Sequence, residues 1–314
     1  MVLLVGGIGV MFGIKKSQKK QPSVITVYVH GTLFHWRKIL AKIPVAADLA
    51  YVPDGLTLVK DLDENTVARK MATLFCQKDP NRFQMSGFYA FGWSGKLSCK
   101  ERLKWAQRLS QELEKLSQIY AKKDKIEPIV RVVTFSHGGN VALNLAQFLP
   151  KDMSVELILI ANPIQNDTEH FVLSDSFSKV YMIYSCKDLV QVIDPTHICR
   201  SIKNGCEKKI SRRFFQYDVE KLKQICVSVN GRYIGHFELF QMFNKHVPDV
   251  LKQVDSLPEK KGMSILSMDV HDPSFTFLNG FNVVDVLKGV DKKVEKIRMC
   301  DKNKKYRDID IDLK

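Results

Sequence analysis

Residues 129–139 read IVRVVTFSHGG, and this stretch decides the fold. Ile129 to Phe135 is a run of mostly β-branched and apolar residues, the pattern of a strand buried on both faces. Ser136-His137-Gly138-Gly139 follows, and then a helical segment, Asn140 to Leu149, that Pro150 ends. Strand, abrupt turn and helix together form the repeating unit of a parallel sheet covered by helices. A Ser at such a turn projects its hydroxyl above the sheet, provided the residues two before and two after are small. Gly138 fills the second of those positions; Thr134, at the first, is larger than the usual Gly and departs from the pattern.

Working outward, the same kind of apolar run recurs on both sides. Val24–Val29 (VITVYV), Gly87–Trp93 (GFYAFGW), Val155–Ala161 (VELILIA), Val180–Ser185 (VYMIYS) and Ile225–Val229 (ICVSV) all read as strands. Glu101 to Ala121 carries Leu103, Leu109, Leu113, Leu116 and Tyr120 at helical spacing. The expectation is an α/β protein with about six mostly parallel strands flanked by helices. In such sheets ligands bind beyond the carboxyl ends of the strands, so the residues that follow each strand are the candidates for chemistry.

After Val29 comes His30-Gly31-Thr32. Gly31 lets the backbone approach the Ser136 hydroxyl, and the amides of Thr32 and His137 are candidate donors to a developing oxyanion. His30 orients that loop. A nucleophilic Ser needs a base, and the base needs an orienting carboxylate, in the chain order Ser, acid, His. Asp188 follows the strand 180–185 and His236 follows the strand 225–229, which makes them the preferred acid and base. Asp167, Asp175 and Asp194 are the rival acids; His170, His197 and His246 are the rival bases. Trp93 and Ser94, beyond the strand 87–93, are placed at the wall of the site. Within 36–59, Trp36, Leu40, Ile43, Val45, Tyr51 and Leu56 read as a helix packed on the sheet, with an acyl-pocket wall as the alternative.

With these pieces in place the chain resembles the α/β-hydrolases, and more narrowly the lipase and esterase-like serine hydrolases. VYVHGT (27–32), FGWSG (91–95), VVTFSHGGNVALNLA (132–146), YSCKDLVQVID (184–194) and GHFEL (235–239) carry the resemblance, over about residues 20–250. It implies the α/β-hydrolase fold and hydrolysis of a carboxylic ester through an acyl-enzyme on Ser136, with Asp188 and His236 completing a triad. It implies substrate contacts at His30, Gly31 and Trp93, a small-molecule or lipid ester as substrate, and neither metal nor organic cofactor. The alternative class is a non-catalytic binding or scaffold protein that keeps this fold at a membrane surface.

Composition narrows the classes further. The chain has 314 residues, 45% hydrophobic and 26% charged, which excludes a disordered polypeptide, a collagen and a polytopic membrane protein. Lys and Arg number 48 against 34 Asp and Glu, a net charge of +14 that invites an anionic partner. The basic residues are dispersed and form no recognition module, so an anionic membrane face is preferred over nucleic acid. Two segments concentrate them. Lys15, Lys16, Lys19 and Lys20 follow the uncharged run Val2–Ile14, which at about 20 Å as a helix is short of a bilayer core. That segment reads as an anchor at the cytoplasmic side, with an atypical secretory signal or a start further upstream as alternatives. Arg200–Lys223 is basic around Phe214, Phe215 and Tyr217, and reads either as a membrane-facing insertion or as a solvated helix.

The 7 cysteines are spread without a C-x-x-C pair, so they read as unpaired thiols of a reducing compartment. His197, Cys199 and Cys206 lack metal-ligand spacing. Residues 258–262 (PEKKG) read as a linker, giving an N-terminal segment 1–21, a main domain 22–256 and a small β-rich extension 257–314. Within the extension, Ser264–Val270, Ser274–Leu278 and Ile309–Leu313 are the expected strands.

Overall fold

The computed structural model describes residues 22–32, 52–191, 212, 213, 215–241, 244–257, 265–275 and 277, and the backbone strands 296–300 and 306–310. The segment 1–21 and its lysines, 33–51, 192–211 and the 258–262 linker lie outside these, with Asp194, His197, Cys199 and Cys206.

A mixed, mostly parallel sheet organises the described residues. Its strands are β1 (Val24–Val29), β2 (Gly55–Leu58), β3 (Phe88–Gly92), β4 (Ile129–Phe135), β5 (Val155–Ile160), β6 (Phe177–Tyr184), β7 (Leu222–Val229), β8 (Arg232–Tyr233) and β9 (Ile265–Val270). The order is β2-β3-β1-β4-β5-β6-β7-β8, with β9 also on β7. Only β2 and β8 run antiparallel to their neighbours. All six expected strands are present. Three more complete a nine-stranded sheet. Two of these, β2 and β8, are too short to show a hydrophobic period.

Alternate strand residues face two helical layers. Tyr28, Phe88, Ala90, Val133, Ile158, Tyr181 and Val227 pack beneath α1 (Val67–Lys78) and a C-terminal helix, Val247–Ser256. Val27, Phe91, Val132, Leu157, Leu159 and Met182 pack beneath α2 (Cys99–Asp124) and α3 (Gly138–Leu143). Each long helix begins where its sequence signals it. Thr66 Oγ1 accepts the Arg69 amide, and Ser98 Oγ accepts the Glu101 amide. Lys125, at φ 59°, closes α2. The result is a helix–sheet–helix α/β architecture. No helix among the described residues is long and apolar enough to cross a membrane.

Three local expectations are corrected. The described part of 36–59 contains β2, an edge strand whose Leu56 amide is held by Glu112 of α2, where a helix was expected. The strand 265–270, expected in a separate extension, is laddered to β7 along its whole length, because Leu266, Met268 and Val270 pack on the core. Ser274, Phe275 and Phe277 are not in a strand; the Asp272 carboxylate takes the Ser274 amide and hydroxyl into a turn. Strands Lys296–Cys300 and Tyr306–Asp310 form a separate antiparallel pair.

Phe88 is fully buried against Phe75 and Phe83, with ring centroids 6.4 and 6.3 Å away. Phe88→Ala should destabilise the protein by about 3–5 kcal/mol, read as a lower urea midpoint at unchanged slope.

Candidate active site

Because β1, β4, β5, β6 and β7 are mutually parallel, their carboxyl ends share one edge of the sheet. Ser136 stands at the end of β4 with φ 52°, the left-handed region that costs a non-glycine residue about 1–2 kcal/mol. Its amide donates to the Ile160 carbonyl at 2.9 Å, and its carbonyl accepts the Gly139 amide at 3.0 Å. The strained turn is thus fastened to β5 on one side and to α3 on the other.

The glycines around Ser136 have steric reasons. A Cβ on Gly138 would lie 2.5 Å from the Val29 carbonyl oxygen, so α3 starts directly against the end of β1. A Cβ on Gly31 would lie 2.8 Å from Ser136 Cβ, which puts the His30-Gly31-Thr32 turn in contact with the Ser. Thr134 is fully buried within β4, paired with Val29 and Leu159, so its larger side chain is accommodated inside the strand ladder.

The residues expected as acid and base, Asp188 and His236, meet. His236 Nδ1 lies 2.8 Å from Asp188 Oδ2, across a separation of 48 residues. Asp188 is 0% exposed and His236 6%. The second carboxylate oxygen of Asp188 accepts the Gln191 amide, and its backbone carbonyl accepts Arg213 Nε. The Ser185 hydroxyl accepts the Ile234 amide at 2.9 Å, tying the Asp188 turn to the His236 turn. Glu238 accepts the Gly235 amide, fixing the start of the short helix that His236 opens (His236–Gln241). The imidazole rests on Phe135, the neighbour of Ser136, at 4.7 Å between centroids.

Among the rivals, Asp167, Asp175 and His170 are exposed, and His246 engages Asp272 at 2.9 Å. Asp194 and His197 lie outside the described residues. No group of three metal-ligating side chains occurs among the described residues. Phe215, expected on a membrane-facing or solvated segment, is instead fully buried, with its backbone bonded on both sides to the Gln224 side chain.

His30 and Trp93 turn their polar atoms toward each other. The Trp93 amide donates to His30 Nε2, the Trp93 indole N–H donates to the His30 carbonyl, and His30 Nδ1 lies 2.6 Å from the Gly31 carbonyl. One tautomer satisfies this set: neutral imidazole with its proton on Nδ1. Burial agrees, pushing the His30 pKa down to about 4. Trp93, expected at the wall of the site, is 1% exposed and clamps the His30-Gly31-Thr32 loop.

Other residues here gave no motif in the sequence. Ala161, just past β5, also has a positive φ, 54°. Beside it Asn162 accepts from Asn140 Nδ2 at 3.0 Å, and its carbonyl accepts Gln191 Nε2 at 2.8 Å. These bonds join α3, the end of β5 and the Asp188 turn in one buried network. The Asn162-Pro163 pair, a turn signal after a strand, was the one hint available.

No family model and no curated protein matches the chain. Among solved structures, one titled "Crystal structure of esterase PE8" is similar at 17% identity, covering 74% of this chain and 93% of that chain with a TM-score of 0.37. At that score the likeness is too loose to carry weight, and the α/β fold rests on the sheet itself.

His30 has a lowered folded pKa, so below about pH 6.5 the unfolded chain binds a proton that the folded chain refuses. Stability is therefore lost as pH falls toward the folded value. From about pH 8 to about pH 5 this residue should account for a loss of about 2 kcal/mol. Urea titrations of wild type and His30→Gln should differ in pH slope by that amount; equal slopes would show that His30 titrates normally.

Proposed function

We propose that this protein is a serine hydrolase of the α/β-hydrolase type that cleaves a carboxylic ester. The observation that carries the reading is the buried Asp188–His236 pair seated on Phe135, beside a Ser136 held at φ 52°. The strand order and the chain order Ser, Asp, His support it as well.

In this reading Asp188 accepts a hydrogen bond from His236 Nδ1–H, which leaves Nε2 as the base and stabilises the imidazolium once formed. His236 removes the Ser136 proton as Oγ attacks the acyl carbonyl. The Thr32 and His137 amides donate to the oxyanion, a role that the close seat of the neighbouring Gly31 on Ser136 supports. His236 then protonates the leaving alcohol. It next activates a water that releases the acid from Ser136. His30 and Trp93 hold the oxyanion loop. The substrate we assign is a small-molecule or lipid ester, with an anionic membrane surface as the partner that the net charge of +14 favours.

A fluorophosphonate probe should label the wild-type chain, and Ser136→Ala should lose the label. Asp188→Asn should lower kcat on a p-nitrophenyl ester by roughly 10³–10⁴-fold with a smaller effect on KM. Labelling that persists in Ser136→Ala would sink the assignment. Neither labelling nor turnover in the wild type would point to a non-catalytic binding protein.

A further inference from the structure

Two cysteines meet at the same sheet edge without a part in the chemistry above. Cys226 lies within β7 and is 5% exposed. Cys186 is exposed and sits just past the end of β6, in the turn that carries Asp188. Their sulfur atoms are 3.4 Å apart. The Cys226 S–H donating to the Cys186 sulfur, with the Arg213 guanidinium nearby, lowers the Cys186 thiol to about 7. The same contact and burial push the Cys226 thiol up. Cys186 is thus an accessible thiol of lowered pKa in contact with a buried one. That is the arrangement of an attacking sulfur and its resolving partner.

We propose that Cys186 and Cys226 form a redox modification site, reversibly oxidised to a disulfide by a peroxide-class oxidant. The Cys186 thiolate attacks the O–O bond; its sulfur is oxidised to a sulfenic acid, and the departing hydroxide takes the Cys226 proton and leaves as water. The Cys226 sulfur then attacks the sulfenic sulfur. The S–S bond forms, the S–O bond breaks, and the second oxygen leaves as hydroxide, which solvent protonates. Peroxide is reduced to two waters as two thiols become one disulfide. Closing to the roughly 2.05 Å of an S–S bond requires movement. Cys226 is held in β7 between Tyr184 of β6 and Ser267 of β9. Cys186 lies beyond the ladder, so its turn moves, and the turn includes the Asp188 amide bonded to the Ser185 carbonyl. On the reading that Asp188 orients His236, oxidation lowers hydrolysis and reduction restores it.

The test treats the full chain with hydrogen peroxide, blocks remaining thiols with N-ethylmaleimide and maps the peptides by mass. A Cys186–Cys226 linked peptide is expected, reversed by dithiothreitol and absent in Cys226→Ser. Separate alkylation of the two thiols, or pairing of either with another cysteine, would overturn the site. Fluorophosphonate labelling of the same samples reads the coupling: oxidation should slow it roughly 10- to 100-fold in wild type and leave Cys186→Ser unchanged. A disulfide with undiminished labelling would overturn the coupling alone. If no state is labelled, the Ser136 assignment fails, and the peptide map still decides the dithiol.

Discussion

The close approach of the β1, β4 and β5 carboxyl ends around Ser136 is the constraint on which the rest of this site depends. A serine in the left-handed region pays a conformational penalty of about 1–2 kcal/mol, and only surroundings that over-determine the turn keep it there. Here the amide of Ser136 is bonded to Ile160, while Gly138 and Gly31 allow backbone where any side chain would collide. Remove a glycine and either α3 or the His30-Gly31-Thr32 loop must retreat. The strain and the glycines are two parts of one device, which holds Ser136 at the tight corner between β4 and α3.

A second layer of organisation makes that device polar without making it wet. Asp188 is fully buried, and a buried carboxylate is costly unless it is hydrogen-bonded. His236 and the Gln191 amide meet that need. The Asn140–Asn162 bond and the Gln191–Asn162 bond extend the network to α3, so the turns after β4, β5 and β6 are hydrogen-bonded to one another. His30 belongs to the same logic: its neutral tautomer exchanges hydrogen bonds with Trp93 and Gly31, and burial keeps it neutral. A histidine that reads in the sequence as adjacent to the chemistry is, in the fold, the fastening of a loop.

Much of this was legible in the sequence, and the limits have physical causes. All six expected strands are present because strands buried on both faces must be continuously apolar, and that pattern is visible without partners. Asp188 and His236 could be preferred over their rivals because each follows a strand that must end at the same edge. What escaped notice lacked a period or a motif. β2 and β8 are short edge strands; β9 was expected as a strand, and only its pairing with β7 was hidden, by an apparent linker. Phe215 looked like part of a basic surface segment because its charged neighbours dominate the local composition, yet the side chain of Gln224 draws it into the core.

The sequence by itself determined the order of strands and turns, the Ser-His-Gly-Gly corner and the chain order of Ser136, Asp188 and His236, because each is a local property of residue type and spacing. Only the tertiary structure decided that Ser136 is held at a positive φ and that Asp188 meets His236. It alone put Trp93 on the His30 loop and brought Cys186 to Cys226. Those are contacts between segments tens of residues apart. They exist because a parallel sheet brings its carboxyl ends to one edge, and no local pattern encodes which side chains will touch once it does.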